Sequence, residues 1–248
     1  SSTETWNGVS NTTSAVFKNK FHLSEVNTIT AGVDFQRRKT EASGSFLSGN
    51  AALADRPYEQ SLNTGVFAQA RLEPTDDLKV SAGVRYDWQK FTGQDVGQTG
   101  AFKQNNSGAS GNVSVEYEAT DNLTLRAGYS SVFGGVGLED NFLFFQPFDY
   151  SGTKAARANN IILGANWEYG SWTLGGEVFQ TKIKDARNFT LTARSVVAAQ
   201  DFESRGFNLG ATYDWDRGFA RFTYSNSKIE IDGAAASHTA AVDLGAPL

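Results

Sequence analysis

The segment Asp76–Phe91, DDLKVSAGVRYDWQKF, alternates apolar and polar residues with hardly a break. Leu78, Val80, Ala82, Val84, Tyr86 and Trp88 share one parity. Lys79, Ser81, Gly83, Arg85, Asp87 and Gln89 share the other. Successive side chains of a strand point to opposite faces, so this segment has one oily face and one charged face. Such a strand has two homes. In a water-soluble sheet the oily face packs on a core. In a transmembrane barrel it meets lipid, and the polar face meets a wet lumen.

The pattern recurs along the chain. Ile29, Ala31, Val33 and Phe35 form one face, as do Val66, Ala68, Ala70 and Leu72. Val113, Val115 and Tyr117 follow, then Leu123, Leu125, Ala127 and Tyr129. Ile161 to Trp167, Trp172 to Val178, Phe207 to Trp215 and Ala220 to Tyr224 continue it. With a less regular first strand near 5–18 and a last one near 238–246, about eleven strands are expected. The connectors alternate in length. Short polar turns fall at LEPTDD, EATDN, EYGS and DWDRG, and a slightly longer one at KNKFHLSEVN. Long loops are expected near 43–60, 92–107, 134–157, 187–201 and 228–237. Barrels of the outer membrane have this asymmetry. Pro57, Pro74, Pro147 and Pro247 are placed in connectors or at the end, where no ladder hydrogen bond is lost. A propeller blade has a similar repeat length but needs four short strands where each unit here holds two long ones.

Composition bears on the choice of solvent. No run approaches the roughly 18 apolar residues of a membrane helix, yet a barrel strand is only half apolar and dilutes its own hydropathy. The net charge is -5 and no basic block is present, which argues against nucleic acid. There is no cysteine, hence no disulfide framework and no thiolate metal site. There is no methionine and no signal segment, so we expect an internal piece of a longer chain, with a processed mature protein as the alternative. Tyr117, Trp167, Trp172, Tyr213 and Trp215 gather near the short turns, and Tyr86 and Trp88 lie nearer the other end. Two bands of rings suit two headgroup layers. The expected fold is therefore all-β: an antiparallel up-and-down transmembrane β-barrel. It would be present as an open partial barrel of about eleven strands, because bacterial single-chain barrels close with even counts. Leu78, Val80, Val84, Leu123, Leu125, Leu163 and Leu209 are the expected lipid-facing set.

In this order the segments resemble the β-barrel of TonB-dependent outer-membrane receptors. LNTGVFAQARLEPTDDLKVSAGVRYDW is similar to the family's hairpin of Gly-x-Phe-x-Gln followed by Leu-x-x-Gly-x-Arg-Tyr-Asp, here Gly65, Phe67, Gln69, Gly83, Arg85, Tyr86 and Asp87. NTITAGVDFQRRKT, NLTLRAGYSSVFGG, NNIILGANWEYGSWTLGGEVFQTKIKDAR and FESRGFNLGATYDW resemble further strands in the same order. Ile162 and Asn208 stand where the family often has Glu. The Phe-Arg-Ala-Pro and Asn-Pro-x-Leu boxes of many haem receptors are absent, with FGGVGLEDNF in that region. The resemblance implies that residues 1–248 are part of a 22-stranded barrel in the bacterial outer membrane. Its plug domain and C-terminal strands would lie outside this chain. The implied partners are outer-membrane lipid, that plug, the TonB complex acting through it, and a ferric siderophore or related ligand. No cofactor is implied.

Catalysis is not supported. His22 falls in a turn and His238 near the opposite end, so no nucleophile–base pair or metal cluster can be assembled. The ring-rich loop GGVGLEDNFLFFQPFDYSGTKAARANN is the best place for ligand contact. Phe142, Phe144, Phe145, Phe148 and Tyr150 are too many rings to hydrate separately, and Arg157 follows on the rising strand, with Arg187 in the next loop. Rings and guanidinium groups suit planar anionic ligands. Arg85, Asp87, Glu116, Arg126 and Glu177 are expected to face the lumen and meet the plug, or to be hydrated or paired across strands. A passive porin or adhesin barrel, a haem receptor and an outer-membrane hydrolase are the rival functions.

Overall fold

The computed structural model describes residues 6–44, 58–94, 100–138, 148–190 and 195–245. The long strands are β1 (Trp6–His22), β2 (Thr28–Gly44), β3 (Tyr58–Thr75), β4 (Leu78–Gln94), β5 (Phe102–Thr120) and β6 (Leu123–Gly135). They continue with β8 (Ala156–Tyr169), β9 (Trp172–Thr190), β10 (Ser195–Trp215), β11 (Gly218–Ile231) and β12 (Ala234–Gly245). Each long strand pairs antiparallel with the next. A two-residue strand, β7 (Phe148–Asp149), pairs in parallel with β10, and a 3-10 turn (Tyr150–Gly152) follows it. Among the described residues β1 pairs only with β2 and β12 only with β11, so the sheet is open.

Registers hold the alternation together across strands. Val84 lies opposite Ala68 and Gly111, and Leu163 opposite Ala127 and Val178. The whole apolar set therefore stays on one face. That face is not covered by protein: Val84 is 67% exposed, Leu163 50% and Leu209 49%. Among the described residues the only buried hydrophobic side chains are Phe91, Val136 and Tyr150. A water-soluble sheet of this size would bury its oily face, because leaving it wet costs about 25 cal/mol per Å². This sheet holds it outward.

The polar face is concave. Glu59 on β3 and Arg187 on β9 have four strands between them, and a flat sheet would hold them about 24 Å apart. Their side chains meet at 2.6 Å. Only a sheet curled toward that face brings them together.

Two expected loops are strand instead. Within 187–201, β9 runs on to Thr190 and β10 begins at Ser195. The segment 228–237 is a hairpin closed by Asp232 and Gly233, both with positive φ (48° and 80°), a conformation whose twist matches the flanking strands. The last strand thus starts at Ala234. Pro74 lies inside β3, at a register shift between Leu72 and Thr75 where no ladder bond is asked of it.

Candidate functional site

The best-built constellation sits on the concave face at the long-connector end. Glu59 and Arg187 form a two-pronged pair: Nη2 donates to Oε1 at 2.6 Å and Nη1 to Oε2 at 2.8 Å. Their side chains are 0% and 6% exposed. Arg187 Nη1 also donates to the Gly137 carbonyl, at 2.9 Å. The guanidinium lies over the rings of Phe91 (5.8 Å) and Tyr150 (5.9 Å). Phe102 stacks on Tyr150 with ring centroids 5.8 Å apart. A Cβ at Gly93 would come within 2.6 Å of the Tyr150 ring, so only glycine leaves room for it.

The connector leaving β6 is drawn into this cluster. Gly135 takes a positive φ of 64° and turns the chain inward. The Gln89 amide then acts as a strand partner for Val136. Gln89 Oε1 accepts from the Val136 N–H at 2.7 Å and Nε2 donates to its carbonyl at 2.9 Å. Nε2 also reaches Ser61 Oγ, and Asn106 Nδ2 donates to Oε1. Tyr150 is held from the connector's other end by the 3-10 turn, whose cap Asp149 accepts from the Ser151 N–H. Val136 and Tyr150, one from each end of the connector, are thus both held on the concave face.

Farther along the same face, Arg85 lies between two carboxylates. Nε donates to Asp87 at 2.8 Å and Nη2 to Asp34 at 2.8 Å, with further bonds from Nη1 to Asp34 and Nη2 to Asp87. Gly65 has no side chain to contest the space the guanidinium fills. Two carboxylates on one cation leave this cluster with a formal charge of −1. Nearer the short turns, Glu116 lies 3.7 Å from Lys79 and 3.8 Å from Arg126, and Glu177 accepts from Asn208 at 3.2 Å. Arg85, Asp87, Glu116, Arg126 and Glu177 all face the concavity, and their charges are tied to one another or to wall residues. They line troughs of about 890 and 1100 Å³.

The ligand-contact set fares differently. Tyr150 is buried, not open to the mouth. Arg187 sits on β9, not in a loop, and is engaged with Glu59. Arg157 lies on the outer face, donating to Ser131 Oγ and the Ala109 carbonyl at 3.0 Å each. That face is turned away from any ligand in the concavity. Phe148 contributes backbone pairing to β10. Phe142, Phe144 and Phe145 lie outside the described residues. Glu59 and Asp34 were missed. Both have the polar parity of their strands, but parity does not name a partner five strands away, as for Glu59, or two strands away, as for Asp34.

The chain matches the family described as TonB dependent receptor-like, beta-barrel, over residues 1–247. It belongs to the TonB-dependent receptor β-barrels. Among curated relatives of this receptor barrel, a protein named heme transporter BhuA from Brucella ovis is 28% identical over 210 residues, 81% of this chain. The same is true of the Brucella abortus protein of that name. The chain spans 30% of the length of these relatives. Solved structures share the receptor-barrel fold. The FrpB iron transporter of Neisseria meningitidis (F3-3 variant) superposes with a TM-score of 0.71 at 21% identity, over 90% of this chain and 36% of its own. The copper transporter OprC gives 0.75 at 14% identity, over 92% and 39%.

Proposed function

We propose that this chain is part of the wall of an outer-membrane receptor that imports a scarce nutrient complex, with a ferric siderophore as the first candidate. The observation that carries the reading is the inverted amphipathicity of the curved sheet: apolar side chains outside, ion-paired polar ones within. That arrangement suits a hydrated passage through lipid. Residues 1–248 would form one part of the barrel domain, with the plug and further strands supplied by the rest of the protein. The share of the Brucella relatives that the chain spans supports this, as do the unpaired outer edges of β1 and β12. Transport would be driven through the plug by the TonB complex, with no bond chemistry in this chain. Haem is the second reading, favoured by the name of the Brucella relatives.

The test is growth. A strain lacking the receptor is complemented with the full-length gene, and iron is supplied only as ferric siderophores or only as haemin. Growth on a siderophore, abolished when TonB is removed, is the expected result. TonB-dependent growth on haemin alone selects the second reading. Uptake that persists without TonB would indicate a passive pore and overturn the proposal.

A further inference from the structure

The concave face departs from its polar pattern along one register. Val132, Ala158, Ile183, Phe202 and Ile231 lie opposite one another in turn on β6, β8, β9, β10 and β11. Val132, Ile183 and Phe202 each lie six residues from a side chain on the concave face, namely Arg126, Glu177 and Asn208. The period of two puts them on that face as well, and Ala158 and Ile231 follow by register. The five make an apolar band across adjacent strands, about 19 Å long. Val132 is 43% exposed and the other four are half-buried. The next register toward the short turns is uncharged: Ser130, Asn160, Thr181 and Ser204, with Ile229 on β11. The register after it carries the apolar pair Ile162 and Phe179. The first concave charges in that direction are Arg126 and Glu177, about 20 Å along the strands.

At its β6 end the band opens into the larger trough. Val132 lines that trough of about 1100 Å³ together with Lys18, Lys20, Arg71, Arg85, Asp34 and Asp87. Four cations against two carboxylates give it a formal surplus of +2, in a chain whose net charge is -5. A cationic trough thus runs directly into an uncharged apolar band on the same face. Apolar surface is unfavourable to leave wet, so the band suits an apolar occupant. Its shape narrows the choice. The band is one side chain wide, with hydroxyl and amide groups on the next register, and it is long in the other direction. A flat macrocycle would lie over those polar groups, whereas an alkyl chain follows the band.

We infer that Val132, Ala158, Ile183, Phe202 and Ile231 hold the aliphatic tail of an anionic, amphiphilic metal complex whose polar head occupies the adjoining trough. The inference rests on the import reading above and narrows its substrate class to acylated chelates. Affinity from the tail grows with the number of methylenes covered, and the trough cations fix the head at one end of the band.

Cells producing the full-length receptor are given an anionic ferric hydroxycarboxylate chelate that carries a lauroyl chain and, separately, the same chelate carrying an acetyl group. Bound radioactive iron is corrected with cells lacking the receptor, and the surface yield of each variant is measured on the same cells. Wild type, and the outer-face variant Val178→Ser, should bind the lauroyl chelate about tenfold or more tightly than the acetyl one. Ile183→Ser/Phe202→Ser should lose that preference while binding the acetyl chelate as wild type does, and Phe202→Ser alone should lose part of it. If the double variant fails to assemble, the single variant decides by the same criterion. Lys18→Gln/Lys20→Gln should weaken both chelates and keep their ratio. Equal binding of the two chelates by wild type, binding of neither, or full preference in the band variants would overturn the site. Removing TonB separates this from the import reading. Uptake of the acetyl chelate that persists without TonB overturns import, whereas TonB-dependent uptake with no lauroyl preference overturns only the band.

Discussion

A carboxylate out of contact with water is costly unless a cation meets it, and Glu59 meets Arg187 with both oxygens. Removing one partner strands the other charge, a loss of about 3–5 kcal/mol for a buried pair. Glu59→Ala is therefore expected to release the connector after β6. Limited proteolysis of the full receptor should show new cleavage within 136–155 while the barrel stays intact. The double variant Glu59→Ala/Arg187→Met should be less damaging than the sum of the single changes. Gly93→Ala tests the same cluster from below. Its methyl would sit within 2.6 Å of the Tyr150 ring, so that ring must leave, and cleavage should increase in the same segment. On the outer face, depth decides the cost of a charge. Val84 lies six residues from the short-turn end of β4, about 16 Å up a tilted strand and near mid-bilayer. Leu125 is two residues from its turn, at the interface. Val84→Arg should cost about 2–4 kcal/mol and Leu125→Arg only about 0–1, measured as assembly yield or unfolding in detergent.

At the scale of strands, alternation made most of the sheet legible. A period of two fixes which side chains share a face, and two-residue turns such as Asp121–Asn122 and Gly170–Ser171 fix the registers that carry this from strand to strand. What was not legible depended on contacts across the curl. Nothing in EQSLN marks Glu59 as the partner of an arginine 128 positions later, and Arg187 reads as a loop residue until β9 is seen to continue past it. Arg157 is on the rising strand, as the sequence suggested, but grouping it with the ring-rich connector hid its parity, which is that of Leu163 and Trp167 on the outer face. The Asp232–Gly233 turn was marked in the sequence, since Asp-Gly between alternating segments is a strong hairpin signal. It was passed over because every other connector on that side is longer. Gly233→Val should be poorly tolerated, because a β-branched residue resists the positive φ at that position. Reduced assembly of the receptor, rescued by Gly233→Asn, is the expected outcome.

At the scale of the whole molecule, the account turns on which face meets which solvent. The chain has no cysteine, so single cysteines can be introduced without a competing thiol from these residues. Val84→Cys and Leu163→Cys probe the outer face; Ser81→Cys and Asn166→Cys probe the concave one at neighbouring registers. The full-length receptor in a cysteine-free background is assembled in the outer membrane and exposed to a water-soluble maleimide, then to a lipid-borne quencher after labelling with a fluorophore in detergent and reconstitution. The account predicts that the maleimide reacts at Ser81→Cys and Asn166→Cys and spares Val84→Cys and Leu163→Cys, and that the quencher reverses this order. Equal maleimide labelling on both faces, or quenching confined to the concave positions, would contradict it.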